Sequence, residues 1–346
     1  MKTQKIYLLL LCLCMTLFVH ADDPFTYRTA FDANLNPGPL AVDSDGGLYY
    51  ATFDGSSTAL YYVPDPIAGS GLSNHIQVYN AGSGFASGRG FQGLATYGDY
   101  VYVCGDTGST SVFKKFVKNP GTPITFTDVS AFAPNLSGKR YSGVAVIGDS
   151  GTTVAVTTHL GCVDLLEAAD GDLITLFCGA KNYQRDLVAD QNGDLFCGRN
   201  GLSDGAAVNL YDWSGSDYNF TKYNDYITTG AIDTSSGESL QGIGYSSNLD
   251  RLFVARRTAG PYLPGWNEAE SVMIYDPAVP GTIIQEITTG TGYPEAGIIN
   301  DVGDCAAWYD GSSADVLFVS DTTQNIIYVF QNNVIAAVRD WMLLEF

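Results

Sequence analysis

Arginine is scarce in this chain, nine residues among 346, and six of the nine fall at comparable places. Arg89, Arg140 and Arg185 each stand just before an apolar phrase, while Arg199, Arg256 and Arg257 each close one. In other copies of the phrase the closing place carries Asp54, Asp106, His159 or Asp321. A guanidinium presents paired donors in a fixed fork, so a mouth lined this way suits a carboxylate, sulfate or phosphate. For acid–base chemistry the candidates are few: His159 is the one well-placed histidine, with Asp106 as a conceivable orienting carboxylate. His75 falls on an expected outer strand, and no G-x-S-x-G elbow occurs. The residues favour binding over catalysis.

What positions them is a phrase repeated six times: an apolar strand, a turn, and a second strand rich in Tyr, Phe and Val. It begins at Leu40, Leu94, Val144, Leu187, Ile243 and Cys305. A spacing of about 40 to 60 residues with only strand patterns inside it predicts an all-β, six-bladed β-propeller with four-stranded antiparallel blades. Further strands are expected at 59–63 and 75–80, 112–117 and 124–129, 162–166 and 172–178, 207–212 and 219–223, and 271–276 and 282–287. The sixth blade has its own strands at 316–320 and 325–330, and its fourth is taken as the N-terminal segment 25–31; segment 334–341 competes for that role. No helix of consequence and no second domain are expected.

With each blade's strands lettered a to d from the channel outwards, the d–a and b–c connections emerge on one face. That face then holds all six arginines. Blades three to five contribute His159, Arg199, Arg256 and Arg257, and blades six, one and two contribute Asp321, Asp54 and Asp106. The longest b–c connection adds Tyr262 and Trp266, a platform for a sugar ring or peptide. The plainer alternative is that these arginines pair with local Asp or stack on some of the 22 tyrosines.

The strand–(Asp-x-Asp/Asn-Gly)–strand phrase, as in Asp43-Ser-Asp-Gly46 and Asp190-Gln-Asn-Gly193, resembles repeats of the NHL and SMP-30/gluconolactonase-like six-bladed propellers. The SMP-30-like resemblance implies a divalent metal such as Ca²⁺ at the channel mouth, held by Glu, Asn and Asp residues. Here Pro37-Gly38-Pro39 stands at the Glu position and Ser142-Gly143-Val144 at an Asn position, leaving Asp186 as the matching ligand. The NHL-type likeness implies a binding module without a cofactor, which the chain fits better; a hydrolase with a degenerate metal site is the alternative. The two Asp-rich phrases themselves lack the distal Glu of a calcium loop and read as tight turns.

Residues 1–21 read as a secretory signal peptide: Lys2 and Lys5, an apolar stretch, and a Val19-His-Ala21 cleavage site. Its removal leaves one propeller domain, 22–346, with 15 cations against 37 acids. A net charge of −20 before cleavage disfavours nucleic acid and anionic membrane surfaces. The expected protein is secreted or extracellular (periplasmic in a Gram-negative source), monomeric, without a membrane span, and binds a glycan, a small anionic ligand or a protein. Five cysteines lie beyond the leader. Cys162 and Cys178 flank Ala169-Asp-Gly171 symmetrically and would face each other across a hairpin. A bridge there competes with two reduced, buried residues, and the reduced form is preferred. Asn135-Leu-Ser and Asn219-Phe-Thr are glycosylation acceptors in a suitable host.

Overall fold

A computed structural model describes residues 24–333 apart from 53–56, 69–70, 84, 86–89, 149–150, 159–160, 179–183, 200–205, 214–219, 229–237, 259–270, 280–281, 289–298, 300, 310 and 312–313. Its strands form six antiparallel four-stranded sheets. The first strand, β1 (Thr26–Asp32), belongs to the last blade. Blade 1 is β2 (Pro37–Val42), β3 (Leu48–Thr52), β4 (Thr58–Val63) and β5 (Ile76–Gly82). Blade 2 is β6 (Phe91–Tyr97), β7 (Tyr100–Asp106), β8 (Ser111–Asn119) and β9 (Thr125–Asp128). Blade 3 is β10 (Tyr141–Ile147), β11 (Thr153–Thr158), β12 (Cys162–Glu167) and β13 (Leu173–Cys178). Blade 4 is β14 (Gln184–Ala189), β15 (Leu195–Arg199), β16 (Ala206–Trp213) and β17 (Phe220–Thr228). Blade 5 is β18 (Glu238–Ser246), β19 (Arg251–Thr258), β20 (Ser271–Tyr275) and β21 (Ile283–Thr288). Blade 6 is β22 (Val302–Tyr309), β23 (Ala314–Asp321) and β24 (Ile326–Asn333), completed by β1. The only helical turn among the described residues is a 3₁₀ segment, Leu72–Asn74.

Why the strands read as nearly continuous apolar runs is visible in their packing. Side chains alternate between the two faces of a strand, and in this ring both faces are covered. In β3, Leu48 and Tyr50 pack toward blade 6 while Tyr49 and Ala51 pack toward blade 2. In β7, Val101 and Val103 face blade 1 and Tyr102 and Cys104 face blade 3. In β19, Leu252 and Val254 face blade 4 and Phe253 and Ala255 face blade 6. The core is therefore divided among the seams between neighbouring blades, with no single centre.

The ring closes through the N-terminal strand. β1 pairs with β24 from Thr26↔Gln331 to Asp32↔Ile326, as expected for segment 25–31. Phe31 packs in the seam between blades 6 and 1, and Phe25 in that between blades 5 and 6, where its backbone N–H and carbonyl both bond the Gln285 amide. The competing segment 334–341 lies outside the described residues.

One expectation is corrected. Cys162 and Cys178 stand directly opposite each other on β12 and β13 and form a disulfide, so the preference for two reduced residues was misplaced. These positions lie at the outer edge of the blade: Cys178 is exposed, so the pair does not act as small core residues. Cys104, Cys197 and Cys305 are free and buried. The turn reading of the Asp-rich phrases holds. Asp43 Oδ1 accepts the Asp45 and Gly47 N–H groups, and Asp190 Oδ1 accepts those of Asn192 and Asp194. Gly46 and Gly193 adopt φ of 85° and 87°, conformations that favour glycine. At the first turn the cation is an amino group: Lys118 Nζ bonds Asp43 Oδ2 at 2.6 Å and Asp45 Oδ2 at 2.8 Å.

Candidate functional site at the channel mouth

Five of the six innermost strands enter the channel through the same irregularity; in β2 the shift instead spans Pro37 to Leu40. A register shift isolates one residue, then comes Gly or Asp, then an apolar residue: Gln92-Gly93-Leu94, Ser142-Gly143-Val144, Arg185-Asp186-Leu187, Gln241-Gly242-Ile243 and Gly303-Asp304-Cys305. The middle position meets the next blade's backbone. A Cβ on Gly93 would lie 2.8 Å from the Gly143 Cα, and one on Gly143 would lie 2.6 Å from the Asp186 Cα. Glycine is used where the inner strands touch.

Where the middle residue is Asp, its carboxylate ties the next strand. Asp186 Oδ2 accepts the Ile243 N–H at 3.0 Å, and Asp304 Oδ2 accepts the Leu40 N–H at 2.7 Å. Asp304 Oδ1 also accepts the N–H of Cys305. Ser142 and Ser320 make matching ties through their hydroxyls, to the carbonyls of Gln184 and Gly38. Both aspartates are buried. Desolvation pushes the Asp186 pKa up to about 7, against the pull of the Ile243 and Leu187 N–H groups and of Arg185. Desolvation first, and then the Asp186 charge, raise Asp304 well above the ordinary carboxylate range. Because the Asp186 charge also raises Asp304, the two buried carboxylates titrate together. Below them the channel encloses about 250 Å³ against residues such as Leu40, Leu94, Val144, Leu187 and Ile243.

The structure distributes the sequence candidates unequally. Arg140 and Asp106 are brought together: Nε and Nη2 of Arg140 both reach Asp106 Oδ2, at 3.0 and 2.6 Å. Asp321 accepts the N–H groups of Thr323 and Gln324 and the Gln324 side-chain amide, which shapes its own turn. Arg256 Nη2 lies 3.7 Å from Glu286 Oε1. Arg185 is half-buried beside Asp186 at the mouth. Arg199 and Arg257 sit at the ends of β15 and β19, opposite Gln184 and Ser239, their side chains outside the described set. Arg89, Asp54, His159, Tyr262 and Trp266 lie outside the described residues. His75 stands just before β5, where Nδ1 is 2.9 Å from the Tyr50 hydroxyl.

In this structure the Asp186 carboxylate is buried and engaged by the backbone N–H groups of Ile243 and Leu187. Among the described residues no cluster of three His, Cys, Asp or Glu surrounds it. Asp304 was missed by the sequence reading. The signal was the alignment of Gly303-Asp304-Cys305 with Arg185-Asp186-Leu187, which requires the repeats to be superposed one residue before the apolar phrase.

No protein-family model matches the chain, and no curated protein matches it. Solved structures share the architecture. A structural genomics protein of unknown function from Bacteroides thetaiotaomicron superposes with a TM-score of 0.57 at 11% identity, over 89% of this chain and 72% of that one. Raptor from Chaetomium thermophilum gives 0.54 at 10% identity over 90% of this chain, which spans 30% of that protein. The β-propeller domain of Myceliophteria thermophila Cps50 (Swd1) gives 0.52 at 9% identity, covering 89% and 99%. At such identities the likeness is one of fold.

Proposed function

We propose that this six-bladed propeller is an exported binding module of the NHL and SMP-30-like kind, working without a cofactor and taking its ligand on the face of the d–a and b–c connections. The observation that carries the proposal is where the strand ends place charge: Asp106 at the end of β7 pairs with Arg140 just before β10, Arg185 stands at the start of β14 and Arg256 near the end of β19, all on that face. Charged side chains held at the loop ends of a rigid scaffold are where recognition residues gather. The partner is an anionic glycan, a small anion or a protein with an acidic surface, met by the arginines of blades 4 and 5. The engagement of Asp186 with backbone donors supports binding over metal-dependent hydrolysis. The Cys162–Cys178 bridge supports export, because such bonds persist in oxidising compartments. A single copy suffices, since β1 closes the ring within one chain.

The test is a binding screen of the purified chain against sulfated and carboxylated glycans and acidic peptides, repeated on Arg256→Ala. Binding that drops at least tenfold in a variant of unchanged melting temperature supports the face. Affinity indifferent to Arg256 would sink it.

A further inference from the structure

Lysine is the least expected residue in the interior of so acidic a chain. Four lysines have described side chains, and three reach a carboxylate: Lys114 meets Asp128, Lys118 meets Asp43 and Asp45, and Lys139 meets Asp164. Lys115 meets none among the described residues. It stands in mid-β8 opposite Tyr102, is 6% exposed, and sends Nζ across the seam to the Ala168 carbonyl at 2.6 Å. The rings of Tyr100, Tyr102 and Phe132 lie 4.2, 5.3 and 5.9 Å from it. Rings and one carbonyl stabilise a cation without neutralising it, and an unpaired buried ammonium is costly. Burial lowers the Lys115 pKa. At Lys118 burial also pulls downward, but the hydrogen bonds its ammonium donates to Asp43 and Asp45 outweigh it.

Lys115 lines a cleft of about 550 Å³ between blades 2 and 3, on the side of the a–b turns. That volume is in the range of small-ligand sites. Tyr97, Tyr100, Ile174 and Glu167 also line it. Tyr100 is 39% exposed. The Tyr97 ring packs against Gly151, where an added Cβ would collide with it, so only glycine leaves room for the ring there. Glu167 is exposed at the rim, unfavourable to a polyanion and able to accept a hydroxyl.

We propose that the cleft between blades 2 and 3 binds a sugar acid, a pyranose ring bearing one carboxylate. The carboxylate meets Lys115 Nζ, the ring lies against Tyr100 and Tyr97, and a ring hydroxyl donates to Glu167. The site is independent of the arginine face, and either can fail alone.

Calorimetric titration of the purified chain with glucuronate, a short oligouronide, glucose and inorganic phosphate tests it, on wild type, Lys115→Met, Tyr100→Ala and Arg256→Ala. Glucuronate should bind at least tenfold more tightly than glucose or phosphate. Lys115→Met and Tyr100→Ala should each weaken it at least tenfold, with Arg256→Ala unchanged. Tyr100 is partly exposed, so its variant decides the matter if Lys115→Met does not fold. Oligouronide bound tenfold more tightly than the monomer assigns the site to a glycan chain, and equal affinity assigns it to the free acid; both support the proposal. No binding of either uronate, equal binding of glucose or phosphate, or loss through Arg256→Ala but not Tyr100→Ala would overturn it.

Discussion

Asp186 and Asp304 show how a charged residue can be structural and titratable together. Each accepts a backbone N–H from the neighbouring inner strand, and each has its pKa raised chiefly by burial. A carboxyl whose folded pKa lies above its unfolded value binds its proton more tightly in the native state. Its contribution is therefore complete below about pH 4 and is lost as pH rises through about 7 for Asp186. The melting temperature should rise on going from pH 8 to pH 5, with stability changing by about 1 kcal/mol per pH unit over the steep region. Asp186→Asn should flatten that profile, and an unaltered profile would remove Asp186 as its source. Arg140 belongs to the same scale: Asp106 is 3% exposed, and Arg140→Ala removes its ion pair with Arg140. The expected cost is about 3 kcal/mol by denaturant titration, the range for breaking a buried pair. The places of Arg140 just before β10 and of Arg199 and Arg256 near the ends of β15 and β19 were legible in the sequence because they depend only on strand order. The Arg140–Asp106 pairing was not, because the two lie on different blades and nothing in their local context reports the approach.

Among the elements, the inner strands and the third blade's hairpin make separable predictions. Gly143 lies against Asp186 backbone, so Gly143→Ala must push neighbouring blades apart and should cost about 2–3 kcal/mol in chemical unfolding. The Cys162–Cys178 bridge closes a sequence separation of 16 residues. Reduction, or Cys162→Ser with Cys178→Ser, should remove about 3 kcal/mol by the loop-entropy argument, measured by unfolding with and without reductant. The hairpin that aligns the two cysteines was readable from their symmetry about Ala169-Asp-Gly171. Whether they bonded was not, since register fixes facing positions while sulfur separation depends on the twist and slide of β12 against β13.

At the scale of the whole molecule, stability depends on a closed ring, because each blade buries its faces on its neighbours. Removing residues 22–32 strips β1 from β24, opens a row of unpaired backbone groups and uncovers the seam that holds Phe31. The truncated chain should melt without a sharp transition and self-associate in size-exclusion chromatography; a cooperative monomer would show that the ring does not need its closing strand. Blade number, strand order and the closing segment were determined by the sequence itself, because strand periodicity and turn chemistry are local and recur six times. Residues that function through neighbouring blades had to wait for the tertiary structure. Asp304, the Arg140–Asp106 pair and the buried Lys115 all act across seams between segments far apart in sequence. Burial and partner distance, which decide whether a charge is structural or open to a ligand, exist only once those seams have formed.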